Sequence, residues 1–526
     1  MEKRAVLAVT LSLIVLIGYQ YLFAPEMPMV PEKTAQVSVT SEKSAEPAKA
    51  QTPAQEAPKT QTPTDVGIEG LSDKEVVVET DTVRAVLNSK GASIKSWTLK
   101  RYKDRANGGV PVDLVPSARE QLGLVSVENG NKTPDNLLYV SDKESLNGAG
   151  SVTFTAVRPD GVKVTKTFTI QESSYKAGLK VSYENSGPSM VTERPALSIS
   201  MISKAEEQGV LFHELAYLSG KDLNRVPAGK IKDEKAGSGE MEWVYLGDKY
   251  FITAVIPQKG TEAEVYSKKV GEDLYEARLV FGSLQIKPGE TKVGEYDIYF
   301  GPKEVDILKT AGSKLERAID LGFFDLVAYP MLLSFKWMYK VIPNYGWVVI
   351  LLTVIIKLIF FPLSQKSYKS MKDMQKIAPL MEQLREKYKD DKERLNREVI
   401  ELYKRHKVNP LGGCLPMILQ IPVFFALYAV LNGAVELRHA HFMLWITDLS
   451  TKDPYYVTPL LMGATMFIQQ KMTPSTADPA QQKVMMIMPV IFTFMFLNFS
   501  SGLVLYWLVN NVLSIGQQHY VNKYMK

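Results

Sequence analysis

The chain has 526 residues, 45% of them hydrophobic, and a formal net charge of +5. That length exceeds one ordinary domain, and so small a charge gives no sign of sequence-specific nucleic-acid binding. The single cysteine, Cys414, excludes an intramolecular disulfide and with it a disulfide-stapled exported scaffold; it reads as a packing residue.

Residues 1–23 place Lys3 and Arg4 before 19 uncharged positions, Ala5 to Phe23. No clear A-x-A cleavage site follows, and Tyr19, Tyr21 and Phe23 form an interfacial aromatic belt. This favours a retained transmembrane anchor with a cytoplasmic amino terminus over a cleaved signal peptide. Residues 24–66 collapse to Pro, Ala, Thr, Gln, Glu and Lys with no aromatic side chain, the composition of a flexible tether.

Residues 67–313 read as an external all-β sandwich. Ser151–Val157 and Val162–Ile170 alternate around Arg158-Pro159-Asp160-Gly161, a hairpin signature. Glu75–Val78, Ile94–Leu99, Gly178–Tyr183, Phe251–Ile256, Tyr275–Phe281 and Gly294–Phe300 are further strands. There is no phosphate-binding Gly-Lys loop, and His213-Glu214 lacks the second histidine of a zinc helix, so no cofactor or metal is expected. Residues 314–340 place Leu315, Ile319, Phe323, Leu326, Val327, Met331, Leu332 and Phe335 near helical spacing, which predicts one interfacial amphipathic helix kinked at Pro330.

Residues 341–526 hold five apolar segments: Tyr345–Phe361, Leu411–Val435, Tyr455–Gln470, Val484–Asn498 and Leu503–Gln517. With the anchor they predict a polytopic α-helical membrane protein of six transmembrane helices. The loop 362–410 carries 13 Lys/Arg against 8 Asp/Glu, whereas Glu436–Pro454 has only Arg438 and Lys452. Positive-inside logic puts the first loop and both termini in the cytoplasm, and the β domain outside. Within 362–410, Met374, Ile377, Met381, Leu384 and Tyr388, then Leu395, Val399 and Leu402, repeat at helical spacing, predicting a helical hairpin turned at Lys389-Asp390-Asp391. Its basic excess sets topology and offers a weak ribosome-docking surface. Val484–Gln518 is an uncharged run of 35 residues. Two full crossings need about 40, so a short hairpin and a locally thinned bilayer are expected.

Lys357 is the only charge between Tyr345 and Leu363. An ammonium at a membrane helix centre costs about 2.5–3.5 kcal/mol on insertion scales, so it either faces a wet cavity or snorkels past Pro362 to the interface. Thr353 lies four residues earlier on the same face. Gln420 lies in the third segment, and Asn510, Ser514 and Gln517 share one face of the last. Singly these residues are explained as hydrogen-bonding glue between helices; three helices contributing polar groups around one charge suggest a wet concavity. Ile421, Phe424, Val490, Phe492, Thr493, Met495 and Phe496 offer either ordinary lipid-facing surface or a deformable apolar face for many partners.

The run Lys407-Val408-Asn409-Pro410-Leu411-Gly412-Gly413-Cys414-Leu415-Pro416 with Gln420-Ile421-Pro422-Val423-Phe424 resembles the YidC membrane protein insertases. Asp453-Pro454-Tyr455-Tyr456, Gln481-Gln482-Lys483 with Met488-Pro489-Val490-Ile491-Phe492, and Ser501-Gly502-Leu503-Val504-Leu505-Tyr506-Trp507 extend the likeness over most of Asp325–Gln518. The anchor, tether and large external domain resemble the Gram-negative form of that family. The resemblance implies a five-helix core with a hydrophilic groove, a β-supersandwich-like periplasmic domain and an inner-membrane location. It matches Lys357 to the groove charge, where the family usually has arginine, and Thr353, Gln420, Asn510 and Ser514 to groove lining. Ile421, Phe424, Val490, Thr493, Met495, Tyr506 and Trp507 then fall on substrate-contacting helices. Nascent membrane proteins, the Sec translocon and membrane lipids are the implied partners. The expectation is a non-enzymatic insertase and chaperone. A small-anion transporter using Lys357 is the alternative, although no internal repeat is visible. A polysaccharide-modifying membrane enzyme would need a catalytic cluster that the sequence does not show.

Overall fold

The computed structural model describes residues 73–104, 109–115, 125–129, 133–202, 214–270, 274–408, 415–473 and 479–524. The expected anchor and tether, His213 and Cys414 lie outside these residues.

Alternating apolar side chains make the amino-terminal half a β domain of two main sheets. The smaller has five strands, ordered 110–113, 93–104, 83–88, 75–79 and 145–147. The larger has 14 strands, and Glu234–Gly247 serves both of its wings. The front half of that strand pairs with Glu262–Val270 and the back half with Phe251–Pro257. Thr291–Pro302 lies inside the large sheet, flanked by Phe251–Pro257 and Lys176–Asn185. All the strand candidates named above lie within observed strands. At the 158–161 turn Gly161 adopts φ +84°, a conformation that favours glycine. The two sheets share one core: Trp97 packs edge-on against Phe300 at 5.1 Å, and its Nε1 donates to the Phe300 carbonyl at 3.0 Å.

The chain leaves the large sheet through helix α1 (Val305–Ala311). The expected single helix over 314–340 is not formed. Lys314 is left-handed, Leu315–Ala318 forms one 3-10 turn buried in the β core, and Gly322 at φ +70° interrupts the chain. Helix α2 begins only at Asp325 and runs to Val341, with Pro330 in its second turn. It buries Ala328, Leu332, Phe335 and Met338 and exposes Leu326, Trp337 and Val341.

Helix α3 (Tyr345–Lys376) is capped by Asn344, whose side chain accepts from the Gly346 and Trp347 amides. It continues through Pro362, where the sequence suggested an end, so its 32 residues reach about 48 Å. Among the described residues it is the one helix long and apolar enough to cross a membrane by itself; Gln420–Gly433 and Lys483–Phe496 are shorter apolar stretches. Helices α4 (Ala378–Lys387) and α5 (Lys392–Arg405) form the hairpin, the second capped by Asp391 accepting from the Arg394 amide at 3.0 Å. Helices α6 (Leu415–Gly433), α7 (Val457–Met472), α8 (Pro479–Phe496) and α9 (Ser501–Tyr524) complete the bundle. Helix α9 packs against α3, α6 and α7.

The β domain and the bundle are joined by polar contacts. Lys336 on α2 meets Glu304, Asp306 and Glu436 at 3.1, 2.9 and 3.1 Å. Burial pushes the Glu436 carboxyl up, with Lys336 opposing it. The Lys103 carbonyl takes the Arg438 guanidinium at 2.9 Å and His439 Nε2 at 3.1 Å.

Candidate functional site

Three helices bring the sequence-predicted polar residues into one chain of hydrogen bonds. Lys357 on α3 donates from Nζ to Ser514 Oγ at 2.7 Å. Ser514 Oγ donates to the Asn510 carbonyl, one turn back on α9, at 2.7 Å. Gln420 on α6 donates from Nε2 to Asn510 Oδ1 and to the Tyr506 hydroxyl, each at 3.1 Å. Among the described residues no carboxylate lies within ion-pair distance of Lys357. The result is a cationic point set in hydroxyl and amide groups, able to meet an anionic or strongly polar group. No candidate metal cluster occurs among the described residues.

Thr353 does not join this chain. It is 1% exposed, and its hydroxyl donates to the Val349 carbonyl at 2.6 Å on its own helix. The intrahelical acceptor satisfies a group that would otherwise be stranded in an apolar interior.

The residues assigned to substrate contact divide. Ile421, Val490 and Met495 are exposed, together with Ile487, Ile491 and Phe494 on α8, and offer an apolar face. Phe424 and Trp507 meet edge to face at 4.8 Å, and Phe492 and Phe496 pack on the same indole. Tyr506 lies inside the bundle, 1% exposed, its hydroxyl accepting from Gln420. Thr493 also turns inward, donating to the Pro489 carbonyl at 2.7 Å beside Gly463 of α7.

A second polar face of α9 escaped the sequence reading. Asn511 Nδ2 reaches the Met462 carbonyl and Thr465 Oγ1 at 3.4 and 3.3 Å, and Gln518 Nε2 reaches the Met472 carbonyl at 2.7 Å. The doublets Asn510-Asn511 and Gln517-Gln518 were the available signal. Neighbours on a helix are about 100° apart, so one member of each doublet faces α7 while the other faces α3 or α6.

Residues 337–526 match the family described as 60Kd inner membrane protein, and residues 75–334 match the YidC periplasmic domain. The chain is 43% identical over 534 residues to the membrane protein insertase YidC of Geotalea daltonii, covering 99% of each chain. The chain belongs to the YidC family of membrane protein insertases. It is also 45% identical over 537 residues to the YidC of Geobacter sulfurreducens, covering 99% of this chain and 98% of that one. A crystal structure of an active YidC insertase aligns over 87% of this chain and 94% of its own, at 19% identity and a TM-score of 0.38. The YidC assignment makes the β domain periplasmic and the helical bundle an inner-membrane core.

Proposed function

We propose that this YidC-family insertase works through a hydrophilic groove whose charge is Lys357 and whose lining includes Ser514, Asn510 and Gln420, with Thr353 behind it. Six transmembrane helices, counting residues 1–23, place both termini and the α4–α5 hairpin in the cytoplasm. A polar segment of a nascent membrane protein enters the groove, where the ammonium attracts its acidic groups and the amides replace part of its hydration. This lowers the cost of carrying polar groups partway across the membrane. The client's apolar helix leaves along Ile421, Val490 and Met495 and the Phe424–Trp507 pair, driven by transfer of apolar surface into lipid. The process has no chemical step and uses no nucleotide or cofactor. The Sec translocon shares some clients, and the ribosome docks weakly at the basic hairpin.

The observation that carries this reading is the Lys357–Ser514–Asn510–Gln420 relay, set within apolar helices beside an exposed apolar face. The test uses purified full-length protein in sealed liposomes and a small Sec-independent membrane protein as client. Insertion without ATP is expected, reduced by Lys357→Ala and retained by Lys357→Arg. Solute flux without insertion would instead establish the anion transporter.

A further inference from the structure

A lysine this close to Pro362 has a long flexible stem that would let its ammonium snorkel to the interface. In the structure it does not. Nζ sits 2.7 Å from Ser514 Oγ. An ammonium only donates, so the serine hydroxyl accepts from it and gives its own hydrogen to the Asn510 carbonyl. Ser514 is 3% exposed, which keeps water from competing for that hydroxyl. The Thr353 hydroxyl, one turn along α3, is committed to its own helix. Asn510 is in turn bonded through its side chain to Gln420, which ties the ammonium's position to α6.

We propose that Ser514 is a positioning and specificity-determining residue, holding the Lys357 ammonium inward so that the site takes one carboxylate of a passing acidic segment at a time. This rests on the groove reading above. One N–H of the ammonium is directed by the serine, and the two others are aimed away from α9 by tetrahedral geometry. A single carboxylate oxygen pair satisfies those two, whereas the planar fork of a guanidinium would suit a bidentate partner without any such guide. Ser514 therefore makes a lysine workable at this position: it supplies the fixed orientation that a guanidinium carries in its own plane.

The test compares two clients that differ only in whether the translocated segment carries two Asp or two Asn residues. Full-length protein in sealed liposomes is expected to insert the Asp client faster. Ser514→Ala should cut the ratio of the Asp client's rate to the Asn client's rate roughly tenfold, the effect of losing one charged hydrogen bond, whatever common loss both clients suffer from the change in groove lining. Ser514→Thr, which keeps the hydroxyl, should restore the preference. In a Lys357→Ala background, Ser514→Ala should leave the ratio of Asp to Asn client rates where Lys357→Ala put it. If Lys357→Ala abolishes the preference while Ser514→Ala keeps it, the serine's role is refuted and the groove survives. If Ser514→Ala slows both clients equally, the residue is merely structural and the inference is overturned. If Lys357→Ala retains both rate and preference, the groove reading itself fails.

Discussion

A Cβ placed on Gly463 of α7 would overlap Thr493 Oγ1 of α8 and stand 3.1 Å from Thr493 Cβ. The two helices touch through a residue without a side chain, and the threonine hydroxyl is already bonded to the Pro489 carbonyl. Gly463→Ala should force the helices apart and destabilise the bundle by about 1–3 kcal/mol, the usual range for overpacking. Thr493→Ala in the same chain should recover part of that loss. Thermal unfolding in detergent of the two single variants and the double variant checks both statements; additive losses would show that the contact is not the cause.

Trp97→Phe keeps an aromatic ring against Phe300 but removes the donor to its carbonyl. A buried acceptor without a partner costs about 1–3 kcal/mol, so unfolding of the periplasmic domain should shift to lower denaturant by a corresponding amount. An unchanged midpoint would mean that the carbonyl finds another donor.

Lys336 is 12% exposed and faces three carboxylates, one of them the buried Glu436. Lys336→Met should destabilise the joint between periplasmic domain and bundle by about 3–5 kcal/mol, because Glu436 is left charged and buried. Adding Glu436→Gln should return much of this. Limited proteolysis around residues 303–325 gives the readout, with faster cutting expected in the single variant only.

Glu214 accepts from Arg225 Nη1, the Tyr245 hydroxyl and Lys303 Nζ at 2.8, 2.6 and 3.2 Å. Burial pushes its carboxyl up, but Lys303, Arg225 and Tyr245 together outweigh burial and hold it below the usual carboxylate range. A depressed folded-state value contributes stability above the ordinary glutamate pKa and loses it as pH falls through the folded value. Melting temperature should therefore fall on acidification below about pH 4, and the fall should be shallower in Glu214→Gln. Equal slopes in the two proteins would rule out this glutamate as a source of the acid sensitivity.

Local chemistry made part of this architecture legible. Pro159-Asp160-Gly161 marks a turn whichever sheet it joins, and the Asn510–Ser514 spacing defines a helical face without reference to neighbours. Long-range pairing left no such trace: nothing in Glu234–Gly247 announces that its two halves serve different wings of a sheet. The 314–340 pattern misled because Leu315 is apolar for the β core and Ile319 packs against that core, so neither marks the face of a helix. Nor does any local pattern announce that the Tyr506 hydroxyl is met inside the bundle by Gln420, 86 positions away.

Thr291–Pro302, the last strand of the periplasmic domain, is laddered on both sides and is followed in the chain by α1 at Val305. An edge strand is held by a single ladder, whereas this one is held by two. The segment that hands the chain over to the helices is thus clasped from both sides, and it cannot leave the sheet without giving up two ladders together.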